Sequence, residues 1–104
     1  MFLERQTVSR KTPGDGKLEI SPAAAVQLRT AATTLEVAVA DVHAPGRVET
    51  LACTCQKVGS AHEHHFVSSE LLKTLRAASQ VELHLDELPG KAGERARVTV
   101  LTVG

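Results

Sequence analysis

The chain has 104 residues, which gives room for one modest hydrophobic core and not for two. Apolar residues make up 42% of it, mostly Ala, Val and Leu, and with Phe2 and Phe66 as the two aromatics a groove lined by aromatic side chains is excluded. Twelve basic and twelve acidic residues cancel, so net charge lends no support to nucleic-acid binding.

No apolar run reaches the length of about 18 residues that spans a bilayer. Glu4 and Arg5 stand where a signal peptide would be apolar, so the expectation is a cytoplasmic protein without a membrane partner. In a reducing compartment, Cys53 and Cys55 point to metal or redox chemistry more than to a structural disulfide.

In chain order, a strand is expected over about 2–9, followed by the turn-rich Thr12-Pro13-Gly14-Asp15-Gly16. Ser21 is a good N-cap and Pro22 suits the first helical position, which predicts a helix over 22–31. Leu35, Val37 and Val39 then alternate as in a half-buried strand. Past Ala44-Pro45-Gly46, the arm from Arg47 to Cys55 and the segment His62 to Val67 read as two strands, with Val58-Gly59-Ser60 at the turn between them. A second helix is predicted over 69–78, capped by Ser68, with Leu71, Leu72 and Leu75 on one buried face. Strands over Val81 to Leu85 and Arg97 to Val103 flank the turn residues Leu88 to Gly93, and the second of these strands is taken as an edge.

Residues 20–41 and 67–87 align as an internal repeat, with Ile20 on Val67, Ser21 on Ser68, Leu28 on Leu75, Arg29 on Arg76 and Val37 on Leu83. The expected fold class is therefore mainly β with two short helices: one domain over 1–104, a small barrel built from a duplicated strand, short helix and strand unit. Segments such as Lys17 to Leu28 followed by Leu35-Glu36-Val37-Ala38-Val39 resemble the cradle-loop barrel proteins, which include the AbrB-like swapped-hairpin DNA-binding domains and the double-psi barrels. That resemblance implies a fold. In place of the Gly-Asp turn of AbrB-like domains this chain has Ala32-Thr33-Thr34.

Both cysteines and three of the five histidines fall between Cys53 and His65. In a regular hairpin over 47–67 with Cys55 opposite His62, Cys53 falls opposite His64 and Leu51 opposite Phe66, all on one face. Two thiolates and two imidazoles about 5–7 Å apart suit tetrahedral zinc, and the closely spaced thiolates also suit Cu(I). The expected metal ligands are Cys53, Cys55, His62 and His64. His65 would replace His64 after a one-residue slip in register, and His43 would join if its turn lay near. His84, between Leu83 and Leu85, is expected on the surface.

The plainer account buries the cysteines in the core and leaves the histidines solvated, although an alternating strand would then bury imidazoles beside them. Four filled positions leave none open for water or substrate, which argues against catalysis. The function expected is a non-catalytic zinc module whose site clamps a hairpin and whose strands contact a protein partner or a second copy as a homodimer. The alternatives are a metal sensor or carrier, a thiol redox sensor, a DNA-binding regulator that gathers Arg5, Arg10, Lys11 and Lys17 on one face, and a metal-dependent enzyme.

Overall fold

The computed structural model describes residues 1–42, 48–51, 58–61 and 64–104. The elements run β1 (Phe2–Thr7), α1 (Lys11–Asp15), β2 (Lys17–Ile20), α2 (Pro22–Ala31), β3 (Thr34–Asp41), β4 (Val48–Leu51), β5 (Val58–Ala61), β6 (His64–Ser68), a 3-10 helix (Glu70–Thr74), β7 (Gln80–Glu87) and β8 (Arg95–Thr102). The protein is mainly β, as expected, and no helix among the described residues is long and apolar enough to cross a membrane.

Two sheets form, with strand orders β1-β7-β8-β3-β4 and β2-β6-β5. Leu35 and Val37 of β3, Val81, Leu83 and Leu85 of β7, and Ala96, Val98 and Val100 of β8 alternate onto the inner face of the larger sheet. That face meets Leu18, Ile20 and Val67 of the smaller sheet, together with Ala24, Ala25 and Leu28 of α2 and Leu72 and Leu75 around the 3-10 helix. The barrel is not closed among the described residues: β1 pairs only with β7 and β2 only with β6. Glu4 bridges that gap with its side chain, accepting from the Ser21 hydroxyl, so no backbone ladder joins the two edges.

The segments aligned as a repeat take similar routes. Each starts in the smaller sheet, as β2 or β6, passes through a helix and ends in the larger sheet, as β3 or β7. Their helices differ, because α2 has ten residues and the 3-10 helix five.

Three other expectations are corrected. Ser69, not Ser68, caps the second helix, accepting from the Leu71 amide at 3.2 Å, and the helix ends at Thr74. The backbone beyond it is drawn into the ladder of β1: the Ala78 amide donates to the Val8 carbonyl and the Val8 amide to the Ser79 carbonyl, bonds that exclude a helix to residue 78. The strand ending near Val103 is no edge, since β8 lies between β7 and β3.

The third correction is α1, where a turn was expected. Its buried Thr12 donates its hydroxyl to the Lys17 carbonyl at 2.8 Å, and Gly16 closes it in the left-handed region at φ 66°. A Cβ on Gly16 would also stand 2.7 Å from the Ser69 carbonyl oxygen. Gly16→Ala should therefore cost about 2 kcal/mol from the left-handed strain and the clash together, read as a lowered urea midpoint. Gly14→Ala, with nothing within 4 Å of the new carbon, should not lower it.

Candidate functional site

His64 opens β6, the central strand of the smaller sheet, and pairs with Ala61 of β5, while the ladder to β2 begins one residue later at His65. The register differs from the expected hairpin. His64 lies opposite Ala61, His65 opposite Ser60 and Phe66 opposite Gly59, while Leu51 lies opposite Val37 in the other sheet. Val58-Gly59-Ser60 is thus strand, not turn. A partner strand that ends two residues before β6 costs less loop-closure entropy than one reached across the longer connection. Cys53 and Cys55 fall in the connection from β4 of the larger sheet to β5 of the smaller, and His62 falls between β5 and β6. Cys53, Cys55, His62 and His43 lie outside the described residues.

The two described histidines of the cluster sit in opposite electrostatic settings. Nδ1 of His64 is 3.3 Å from a carboxylate oxygen of Glu19, and the Phe66 ring lies beside the imidazole with centroids 6.5 Å apart. Glu19 stands opposite Phe66 in the β2–β6 ladder, which makes His64 its diagonal neighbour on the same face. His65 turns to the other face, opposite Ile20, and its Nδ1 meets the Arg29 guanidinium of α2 at 3.3 Å. An arginine never gives up its proton, so Nδ1 of His65 is the acceptor, and the fixed charge opposes a metal cation there. Of these two, His64 is the better placed ligand. Among the described residues, no three His, Cys, Asp or Glu side chains come together as a metal-binding group.

His64 and Glu19 also line a polar cleft of about 510 Å³ between the free edges of β1 and β2, with Glu4, Gln6, Ser21, Leu18 and Ile20 among its walls. Glu4 accepts from Gln6 Nε2 at 3.1 Å and from the Ser21 hydroxyl, whose oxygen in turn accepts from the Ala24 amide at 3.1 Å. The Ser21 proton is thereby committed to tying β1 onto the start of α2, and the carboxylate sits where the helix dipole favours a negative charge. This bonding gives the cleft a structural part. Ser21 is legible as a cap; its bond to Glu4, seventeen residues earlier, is not.

His84 is half-buried, where a surface position was expected. The Phe2 ring packs edge-on against it at 5.6 Å, and its Nε2 lies 3.1 Å from Glu82. In comparison with known proteins, no family model matches the chain, and no curated protein or solved structure is significantly similar to it.

Proposed function

We propose that this chain is a non-catalytic zinc-binding module whose ion is held by Cys53, Cys55, His62 and His64. What supports the reading is the chemistry of this donor set and its place along the chain, with both cysteines between β4, which ends at Leu51 in one sheet, and β5, which begins at Val58 in the other. An ion held by these residues would fasten the segment that leads from one sheet to the other, where the expected role was a clamp across one hairpin. Four soft and borderline ligands fill a tetrahedron, which suits structural zinc, with Cu(I) as the alternative ion. Among the described residues β1, β2, β4 and β5 stand at sheet edges, which suits pairing with a protein partner or a second copy.

Elemental analysis of protein purified without added metal or an affinity tag should give one zinc per chain. With zinc at a hundredfold excess over its dissociation constant, linkage adds about 2.7 kcal/mol, or about 10 °C or more in melting temperature for a domain of this size. Cys53→Ser and His64→Ala should release the metal and forfeit that gain, and His84→Ala should keep the metal. Protein that contains no metal, takes up none from micromolar zinc and melts unchanged in a chelator would show the reading to be wrong.

A further inference from the structure

We propose that the cleft between β1 and β2 docks an extended segment of a partner protein, one in which lysine or arginine alternates with apolar residues. This deepens the partner half of the reading above, and it needs no metal ion.

Successive residues of an antiparallel ladder turn their N–H and C=O groups to opposite sides of the strand. At the end of β1, the Val8 amide donates to Ser79 and the Val8 carbonyl accepts from Ala78, both toward β7. Thr7 and Arg5 therefore turn their peptide groups away from β7, to the open edge. Gln80, opposite Thr7, agrees with this, since its own backbone bonds go to Val103 and Gly104 on the β8 side. β2 behaves in the same way. The Gly16 carbonyl accepts from the Ser69 amide, so Leu18 and Ile20 bond toward β6 and Glu19 turns its peptide groups away from it. Thr7 and Glu19 both stand in the cleft wall, so two strand edges offer peptide groups to one gap. Neither has a backbone partner there among the described residues.

Ser21 shows what this gap accepts. Its amide points away from β6 and meets the Glu4 carboxylate oxygens at 3.4 Å, so a side-chain oxygen stands where the carbonyl of an added strand would stand. The open remainder of the edge suits main-chain bonds to an added segment.

Charge and shape name the occupant. The cleft measures about 510 Å³, inside the range of about 300–1,000 Å³ common for binding pockets. Glu4 and Glu19 are its acidic walls, no lysine or arginine lines it, and Leu18 and Ile20 lie between them on β2. Glu19 is 58% exposed at the rim, where it meets a cationic side chain without displacing any packing. An extended chain that sends one side chain to that rim sends the next inward, which is why cationic and apolar residues alternate in the segment. An acidic segment brings like charges together and is rejected.

The test follows amide NMR shifts of the full chain as it is titrated with the capped peptide Thr-Lys-Val-Lys-Val-Thr, with Thr-Glu-Val-Glu-Val-Thr as control. The lysine peptide should shift the amides of Arg5, Thr7 and Glu19 saturably, with a dissociation constant of about 1 mM or tighter, and leave Val48 to Leu51 unmoved. The glutamate peptide should bind about tenfold more weakly, and Glu19→Lys should weaken the lysine peptide about tenfold with its melting temperature unchanged. Equal affinity for the two peptides, shifts confined to β4 or β5, or no saturable shift at several millimolar would each overturn the proposal. Shifts of the same amides on concentrating the protein alone would assign the cleft to a second copy and overturn it as well. Protein that binds the peptide but no zinc keeps this inference and loses the zinc reading; protein that binds zinc but not the peptide does the reverse.

Discussion

Leu72→Ala should remove about 3–4 kcal/mol of stability, while Leu71→Ala should remove less than about 1.5 kcal/mol, as read from urea midpoints at a common slope. Leu72 is fully buried, Leu75 is 5% exposed and Leu71 is half-buried. The difference follows from the kind of helix. In a 3-10 turn, residues three apart eclipse, so Leu72 and Leu75 project together while Leu71 is rotated away by about a third of a turn. An α-helix would place all three on one face. The 3-10 helix links β6 of the smaller sheet to β7 of the larger and touches α1, β2, β3 and β4, so a cavity at Leu72 opens where both sheets meet. For a domain whose total stability is about 5–15 kcal/mol, that loss brings unfolding within reach of modest heating. Equal costs at Leu71 and Leu72 would refute the 3-10 packing.

Where side-chain pattern and local capping agree, the sequence is a good guide. Ser21-Pro22 and the alanine-rich run after it form α2 over the residues expected, and Val81, Leu83 and Leu85 alternate into the core as their spacing implies. Where a distant backbone competes, it is a poor one. Apart from Thr74, Leu71 to Ala78 consists of good helix formers, yet the end of β1 claims the peptide groups at its end, a contact that no local window contains. Strand pairing fails for a related reason. A hairpin register is legible only when one turn stands out, and here the chain folds Val58-Gly59-Ser60 into a strand although Gly59 and Ser60 favour turns.

The candidate site was legible as a chemical set more than as a geometry. Thiols and imidazoles concentrated in one segment are visible in any reading of the sequence. Glu19 and Arg29 are not, because they reach His64 and His65 from forty-five and thirty-six residues away. Those two neighbours distinguish adjacent histidines that the sequence alone leaves exchangeable.

Glu36 carries the other large expected effect. It lies on the outer face of β3, yet its side chain is only 6% exposed, because Arg95 and Arg97 of the adjacent β8 lie against it and bond its two carboxylate oxygens, Arg97 at 3.0 Å. Their hydrogen bonds hold the Glu36 carboxyl below its ordinary value of 4.5, against the opposing effect of burial. Removing both arginines takes away two charge-assisted hydrogen bonds but also uncovers the carboxylate to water, so Arg95→Ala with Arg97→Ala should cost about 2 kcal/mol at pH 7. The pH dependence has a definite sign. A carboxylate whose folded value is lowered stabilises the fold fully above its unfolded value and loses that contribution as pH falls through the folded value. Glu36→Gln should therefore be less stable than wild type at pH 7, and the gap should close progressively below about pH 4.5. Urea unfolding of the two proteins at pH 7 and pH 3 measures it, and a gap that is constant or widens in acid would show that the two arginines do not stabilise the charged form of Glu36.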